Sequence, residues 1–127
     1  MQKIIINSAA APNPIGPYNH AVRVGDFLYV SGQIPYDQAT ETLITSGIQD
    51  ETTMVLKNVG YILNEAGLGF EHVVKATIFI TDMGQFSEIN AIYAQYFTEN
   101  APARECVQVA ALPRGVNVEI SVIAVAK

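Results

Sequence analysis

The sequence is short of the residues that build disulfides, metal sites and nucleic-acid surfaces. Its 127 residues include one cysteine, two histidines and no tryptophan, and 12 acidic side chains stand against 7 basic ones. A single cysteine cannot form an intrachain disulfide, and together with the distant His20 and His72 it matches no metal-ligand spacing. A net charge of −5 disfavours a phosphate backbone as a partner. We therefore expect no metal and no nucleic acid.

Long apolar runs are missing as well. No stretch approaches the ~20 residues of a membrane-spanning helix, and the apolar run Ile4–Ile6 is too short for the core of a signal peptide. We therefore expect no membrane partner and a cytoplasmic protein. Half of the residues are hydrophobic, so residues 1–127 can form a single domain with a core of its own.

Hydrophobic periodicity predicts six strands and two helices. The first helix runs from a capping box at Ser46 and Gln49 to a left-handed cap at Gly67, and the second runs from Asp82 to a stop at Pro102. The predicted strands are Ile4–Ile6, Ala21–Val24, Phe27–Ser31, His72–Thr81, Arg104–Leu112 and Val116–Val125. The order of these elements is typical of an α+β sandwich, a sheet of about six strands with both helices on one face.

Alternation along the strands assigns residues to the two faces of this sheet. The residues expected to face the helices are Val74, Ala76, Ile78, Ile80, Val107, Val109, Ala111, Val116, Val118, Ile120, Val122 and Ala124. The opposite face is expected to carry Lys75, Thr77, Phe79, Arg104, Cys106, Gln108, Ala110, Leu112, Asn117, Glu119, Ser121 and Ile123. That mixture is too polar for a core and too apolar for a solvated face, so we expect a second copy of the chain to cover it. We expect Arg104 and Glu119 to lie on this same side of neighbouring strands.

These two charged residues are candidates for chemistry, and each has a structural alternative. The guanidinium of Arg104 can hold a carboxylate through two parallel hydrogen bonds, but it can equally be an exposed strand-end arginine or a partner for Glu119. A glutamate in mid-strand is costly unless it is paired or hydrogen-bonded. Glu119 is therefore either a structural partner for Arg104 or Lys75, or a general base.

Four further positions are open to two interpretations. Cys106 fits a small buried thiol better than a nucleophile, because the pattern places no histidine near it. Ser31 and Gly32 end a central strand, where free backbone N–H groups could face a ligand, although an ordinary strand exit explains them as well. Tyr18 is either a cleft-lining aromatic or a residue that packs within its loop.

Three segments together resemble the reactive intermediate deaminase family, RidA, also called the YjgF family. They are Ile15-Gly16-Pro17-Tyr18, Val30-Ser31-Gly32-Gln33-Ile34-Pro35, and Pro102-Ala103-Arg104 through Cys106-Val107 to Val118-Glu119-Ile120. The spacing from arginine to glutamate matches the family signature and is the most specific of the three. Asn90 is a further position of the family pattern, and the resemblance runs from about Pro12 to Val125.

The resemblance implies a chorismate-mutase-like fold and a homotrimer with clefts between subunits. It also implies hydrolysis of 2-enamino and 2-imino acids to 2-keto acids and ammonia without a cofactor. In that activity Arg104 holds the substrate carboxylate, and Glu119 positions or deprotonates the attacking water. The residues implied to line the cleft are Tyr18, Ser31, Gly32, Asn90 and Cys106. One alternative is a trimer that binds small carboxylates as a sensor or regulator without turnover. Another is an enzyme acting on nucleic acid, since ribonuclease activity has been ascribed to relatives, although the net charge disfavours it.

Three departures from the family pattern concern the surroundings of the cleft. Glu105 follows Arg104 where a small residue is usual, and alternation turns it away from the Arg104 side. The loop into Pro102 is short, with Ala101 where an aromatic is common, which leaves the side-chain preference for substrate open. Thr40-Glu41-Thr42 replaces a glycine-containing turn, which we interpret as a surface difference.

Overall fold

The structure, a computed structural model, describes residues 2–126, which form eight strands and two α-helices. The strands are β1 (Lys3–Ile6), β2 (Ala21–Val24), β3 (Phe27–Gln33), β4 (Tyr36–Asp37), β5 (Thr42–Leu43), β6 (Val73–Ile80), β7 (Ala103–Gln108) and β8 (Val118–Val125). The helices are α1 (Ile48–Glu65) and α2 (Phe86–Tyr96), and short 3₁₀ turns occur at Phe70–His72, Met83–Gln85 and Pro113–Gly115. None of the helices within residues 2–126 combines the length and the apolar character needed to cross a membrane.

Six strands form one mixed sheet in the order β1-β2-β3-β8-β6-β7, and β4 pairs with β5 in a separate hairpin. Neighbouring strands of the sheet are antiparallel except β6 and β7, which are parallel. Parallel neighbours need a crossover connection, and α2 lies in the chain between these two strands. The predicted α+β class, with six strands and two helices, is confirmed.

The two helices cover one face of the sheet and form the core with it. The apolar face of α1 is buried, with Val55, Leu56, Val59, Ile62 and Leu63 inaccessible to solvent. The alternation predicted for β8 is also confirmed, because Val118, Ile120, Val122 and Ala124 are buried. Burial of this continuous apolar surface is the main term that stabilises the fold.

The ends of α1 test the predicted caps. The predicted N-cap Ser46 is wrong, because the helix begins after Gly47, and Ser46 Oγ instead donates to the carboxylate of Asp50 at 2.7 Å. The predicted cap at Gly67 is confirmed, with φ of 75°. The N–H groups of Gly67 and Leu68 donate to the carbonyls of Asn64 and Leu63, which is the Schellman arrangement.

The second helix has a two-step start. Asp82 accepts from the backbone N–H of Gly84 at 2.9 Å and opens the turn Met83–Gln85, after which α2 begins at Phe86. The sequence therefore located this start correctly but did not separate the turn from the helix. Within α2 the buried residues are Ile89, Ile92 and Tyr93.

Strand order overturns the predicted faces of β7. Arg104 lies opposite Ala76, and Cys106 lies opposite Ile78, both of which are buried on the helix side. Arg104, Cys106 and Gln108 therefore face the helix layer, whereas Val107 is 42% exposed on the other side. The apolar alternation of this strand was misleading because β7 is an edge strand that α2 covers only in part. A register shift between Val73 and Lys75 likewise exposes Val74, which was expected inside.

The face of the sheet turned away from the helices carries exposed apolar side chains. Ile5, Phe27, Tyr29 and Val107 are each between 42% and 48% exposed, and the rings of Phe27 and Tyr29 stack with centroids 6.4 Å apart. We call this surface the open face. Its width and apolar content exceed what scattered surface residues give, so it is suited to contact with another protein surface.

Candidate active site

A cavity of about 830 Å³ opens beside the ends of β3 and β8. The loop after β1, the end of β3, the hairpin of β4 and β5, and the turn before β8 form its walls. Its lining residues are Pro12, Asn13, Ile15, Tyr18, His20, Ser31, Gly32, Gln33, Ile34, Tyr36, Gln38, Glu41, Pro113, Arg114 and Glu119. It therefore brings together four of the predicted site residues, Tyr18, Ser31, Gly32 and Glu119, which we call the Glu119 half-site.

A bulge in β3 makes room for the Glu119 side chain. Val30 pairs with Val122 and Gln33 pairs with Ile120, so Ser31 and Gly32 together face one residue of β8. Bulges of this kind redirect side chains near functional sites. The glycine leaves this position of Glu119 open, because a Cβ at position 32 would lie 2.8 Å from Cδ of Glu119 and would force that side chain to move.

Glu119 is half-buried in this cavity, and burial raises the pKa of its carboxyl group above the usual value. Within residues 2–126 no cation lies within ion-pairing distance of it. The structural alternatives considered for Glu119, a pair with Arg104 or Lys75, are therefore not formed within one chain, and Lys75 instead pairs with Glu105 at 3.3 Å. Once ionised, a carboxylate with a raised pKa is a stronger proton acceptor than an ordinary glutamate.

A polar network fixes the wall of the cavity near Ser31. Ser31 Oγ donates to the carbonyl of Asn19 at 2.7 Å, and the Ser31 N–H donates to the carbonyl of His20 at 2.9 Å. The Ser31 N–H therefore does not point freely at a ligand, which agrees with the ordinary strand exit among the two alternatives for this position. Buried His20 accepts from the N–H of Ser8 at 3.0 Å and contacts the carbonyl of Pro12, which ties the preceding loop to the strand.

Tyr18 lies at the mouth of the cavity, and its side chain is 48% exposed. Its hydroxyl oxygen accepts from the N–H of Ile15 at 3.4 Å. Both interpretations of Tyr18 are thus met, because the ring lines the cavity while the hydroxyl helps to close its own loop.

Arg104 lies elsewhere, at the start of β7 beneath α2. Its Nη1 donates to Oδ1 of Asn90 at 2.7 Å, and its guanidinium carbon lies 4.8 Å from the ring centroid of Tyr93 and 5.4 Å from that of Phe86. Stacking and one hydrogen bond hold the group while leaving other N–H donors free. This exposed arginine is therefore prepared to bind a planar anion.

Cys106 lies two residues further along the same side of β7 and is half-buried. Burial raises the pKa of its thiol, and the charge of Arg104 only partly opposes that rise. A thiol held protonated is a poor nucleophile, which agrees with the small buried thiol that the sequence favoured. We call Asn90, Arg104 and Cys106 the Arg104 half-site.

The two half-sites are not in contact within one chain. Glu119 lies opposite Phe79 on the open face, whereas Arg104 lies opposite Ala76 on the helix side, with β6 between their strands. Their Cα atoms are ~10 Å apart along the strands and ~10 Å apart across them. The prediction that they share one side of neighbouring strands is therefore wrong, because periodicity cannot show which strands are neighbours.

Two of the departures from the family pattern have a clear structural outcome. Glu105 points to the side opposite Arg104, as alternation predicted, and accepts from Thr77 Oγ1 at 3.2 Å. Glu41, expected to be a surface feature only, has φ of 54° and lines the cavity. Arg114, Tyr36 and His20 also line it, and their presence there could not be predicted, because no periodic signal links these loop positions to Glu119.

The part of the chain that is described contains no group of three or more His, Cys, Asp or Glu side chains able to hold a metal ion. The two half-sites can supply anion binding by Arg104 and proton transfer by Glu119.

Comparison with known proteins identifies the family. Residues 8–126 match the family model described as Endoribonuclease L-PSP. The human 2-iminobutanoate/2-iminopropanoate deaminase is 46% identical over 121 residues, which cover 95% of this chain and 88% of the human protein. The crystal structure of a Thermotoga maritima protein aligns with a TM-score of 0.96 and 43% identity, covering 100% of this chain and 99% of that one. Escherichia coli TdcF, solved with bound serine, aligns with a TM-score of 0.93 and 42% identity over 98% of this chain and 99% of its own. The chain therefore belongs to the Endoribonuclease L-PSP family, which is the YjgF/RidA family that its motifs resemble.

Proposed function

We propose that this protein hydrolyses small 2-imino and 2-enamino acids to 2-keto acids and ammonia. The observation that carries the proposal is the presence of two complementary half-sites on one chain. One is a guanidinium prepared for a carboxylate, and the other is a carboxyl group of raised pKa in a cavity. Human and bovine relatives with 46% and 48% identity are named imine deaminases, which supports this choice of substrate.

In this proposal a neighbouring copy completes each site. Arg104 is exposed on the edge strand β7, and the apolar open face offers a surface for association. We place Arg104, Asn90 and Cys106 of one copy against the cavity that holds Glu119 of the next. A closed ring of copies has identical interfaces throughout and leaves no open face unpaired. The family resemblance implies three copies, so the proposed assembly is a homotrimer.

The reaction needs no covalent intermediate with the protein. Arg104 holds the substrate carboxylate, which fixes the imine carbon above the Glu119 half-site. Water forms a bond to that carbon as the C=N electrons move to nitrogen, and Glu119 accepts the proton that water loses. Glu119 gives this proton to nitrogen, which completes a carbinolamine. Glu119 then takes the hydroxyl proton of the carbinolamine and passes it to the amino nitrogen as the C–N bond breaks and the C=O bond forms, so that ammonia leaves with three hydrogens. One imine and one water become one keto acid and one ammonia, and an enamine enters after tautomerising to the imine.

The remaining half-site residues orient these groups. Asn90 holds one edge of Arg104, and Gly32 allows the Glu119 carboxyl to lie against the β3 bulge. Tyr18 and Ser31 line the entrance and the wall, and Cys106 fills the space beside Arg104 as a neutral thiol. The large contribution to rate is the positioning of water and substrate, and general acid–base transfer adds to it.

The test couples the protein to an amino-acid dehydratase that releases 2-iminobutanoate, and follows 2-oxobutanoate formation against buffer alone. We expect faster keto-acid formation. If keto-acid formation is no faster than in buffer and the protein binds 2-oxobutanoate tightly, the deaminase proposal is wrong. The protein would then be a carboxylate sensor with the same fold and assembly.

Mixing variants tests the shared site. Arg104→Ala and Glu119→Gln chains, each inactive alone, are unfolded together and refolded at equal amounts. If each site takes Arg104 and Glu119 from different copies, about a quarter of the sites in random trimers hold both native residues. Recovery of activity near that fraction is expected, and no recovery would show that both residues act within one copy.

The family description gives RNA cleavage as a second candidate function. The net charge of −5 opposes it, because RNA binding relies on cationic contacts whose strength falls with salt. Binding of a labelled single-stranded RNA, measured over a range of salt concentrations, separates the two candidates, and we expect none at physiological salt.

A further inference from the structure

The cavity of the Glu119 half-site contains a cation to which the proposed reaction gives no role. Arg114 lines this cavity together with Glu119. It is the only lysine or arginine among the cavity-lining residues that the structure describes. No carboxylate of residues 2–126 lies within 4.0 Å of its guanidinium, so its charge is available to a ligand.

The guanidinium of Arg114 rests on an aromatic platform. Its central carbon lies 5.0 Å from the ring centroid of Tyr36. The backbone on either side of this ring is tied to α1, because buried Asn58 donates to the carbonyls of Tyr36 at 2.9 Å and Ile34 at 3.0 Å. A guanidinium stacked by its face keeps its in-plane N–H donors for a carboxylate.

The backbone at Arg114 is also in an unusual conformation. Its φ of 59° and ψ of 19° lie in the left-handed region, which costs free energy for a residue with a side chain. The turn persists between Pro113 and Gly115, whose N–H donates to the carbonyl of Leu112 at 3.1 Å. Such conformations are retained where the surroundings fix them, and they cluster at ligand sites.

These features make Arg114 a counterpart of Arg104. Each guanidinium lies against a tyrosine ring, at 5.0 Å and 4.8 Å respectively, and each keeps donors free. In the assembly proposed above, both would border one cavity. A substrate with one carboxylate uses only the first.

We propose that Arg114 binds a second carboxylate, so that the substrates include 2-imino dicarboxylic acids. This inference rests on the proposed function and names its substrate class. Exposed Glu41 on the rim of the cavity opposes a dianion at longer range. Recognition therefore depends on direct contact with the fork of Arg114, which a lysine cannot reproduce.

The test compares two substrates of equal chain length. 2-Iminobutanoate ends in a methyl group, and 2-iminosuccinate ends in a carboxylate. They are released in situ by a threonine dehydratase and an L-aspartate oxidase, and their protein-dependent hydrolysis is measured for the native chain, Arg114→Gln and Arg114→Lys. Arg23→Gln is the matched control, because Arg23 bonds to the carbonyl of Gly25 and does not line the cavity.

We expect Arg114→Gln to lower kcat/KM for 2-iminosuccinate ~10- to 100-fold, the range for losing a charged hydrogen-bonding partner. The value for 2-iminobutanoate should change less than ~2-fold, Arg114→Lys should recover only part of the loss, and Arg23→Gln should resemble the native protein. Equal losses for both substrates, or no hydrolysis of 2-iminosuccinate by a protein that hydrolyses 2-iminobutanoate, would overturn the role of Arg114 and leave the proposed function intact.

A binding measurement separates the two proposals. If neither imine is hydrolysed faster than in buffer, the deaminase function fails, and calorimetric titration with succinate and butanoate still tests Arg114. Tighter binding of succinate that Arg114→Gln removes supports the second carboxylate site. Equal binding of the two acids, or binding unaffected by Arg114→Gln, overturns it.

Discussion

The two half-sites are built in different ways. At Arg104 a regular edge strand carries the charged group, and side chains of α2 hold it through a hydrogen bond from Arg104 to Asn90 and stacking on Tyr93. At Glu119 the backbone positions the charged group instead, since a bulge in β3 and the missing side chain of Gly32 create the space that the Glu119 carboxyl group occupies. The Arg104 guanidinium is thus oriented by side-chain contacts, which a substitution of those side chains removes. The Glu119 carboxyl group depends on empty space beside the backbone, which a larger residue at position 32 fills. We therefore expect substitutions around Arg104 to weaken substrate binding, and substitutions around Glu119 to slow turnover.

The largest effects should follow from removing the charged groups themselves. We expect Arg104→Ala to abolish carboxylate binding and lower kcat/KM at least ~10³-fold, because the anchor that positions the substrate is lost. Glu119→Gln should instead lower kcat ~10²-fold or more while 2-oxobutanoate binds nearly as before. Steady-state kinetics and calorimetry check both variants. If both variants lose binding and turnover in the same proportion, the separate roles of Arg104 in binding and Glu119 in turnover are wrong.

The next largest effect should come from filling the space at Gly32. In Gly32→Ala the added methyl overlaps the Glu119 side chain, so we expect kcat to fall ~10- to 100-fold and the free energy of unfolding to fall ~1–3 kcal/mol. Kinetics and denaturant titration measure these quantities. The Gly32→Ala, Glu119→Ala double variant is the control, and it should regain stability without regaining activity. A double variant no more stable than Gly32→Ala would mean that the glycine serves another purpose.

A smaller effect is expected at the platform under Arg104. Replacing the Tyr93 ring with leucine should raise KM ~3- to 10-fold with little change in kcat, which is the size of a cation–π contact. Tyr93→Phe should match the native enzyme, because the buried Tyr93 hydroxyl has no hydrogen-bond partner within residues 2–126. Tyr96→Leu controls for lost packing, since Tyr96 contacts Phe70 instead. If Tyr96→Leu raises KM as much as Tyr93→Leu, the effect is one of packing.

The smallest effect should appear in the pH dependence of stability. Burial raises the pKa of Glu119 in the folded chain, so folding favours its protonated form. Stability from this group is complete below the ordinary glutamate pKa of about 4.3 and is lost as the pH rises through the folded-state pKa. Glu119→Gln should therefore have a higher Tm than the native protein at pH 8 and the same Tm at pH 4. Calorimetry at both pH values tests this, and a lower Tm at pH 8 would show that a cation reaches Glu119 in the assembly.

Sequence periodicity predicted what each element does locally. It located the six strands of the main sheet, the helix α1 and the left-handed cap at Gly67. It missed the short strands β4 and β5, and it extended β7 to Leu112, beyond its end at Gln108. It could not predict that β7 pairs with β6, because side-chain alternation describes one strand and contains no information about its neighbours. The same limit explains the wrong placement of Arg104 beside Glu119.

Irregular positions were the other source of error. The bulges at Ser31 and Val74 shift alternation by one residue. Gly32, a glycine inside a strand, is the only sign of the first bulge in the sequence, and no glycine or proline of β6 marks the second. Gly47 displaced the predicted cap at Ser46, because an extended glycine with φ of 125° begins the helix one residue later. Arg114 and Glu41 have positive φ although neither is glycine, so their left-handed backbone could not be predicted from residue type.

The placement of Arg104 and Glu119 on opposite faces of one sheet also bears on when a newly made chain can act. A freshly folded single copy holds every required side chain, yet it cannot bring both to one small molecule. On the arrangement proposed here, the ability to react arises by mass action and disappears again on sufficient dilution. Catalytic competence would then depend on the abundance of the protein as well as on its sequence.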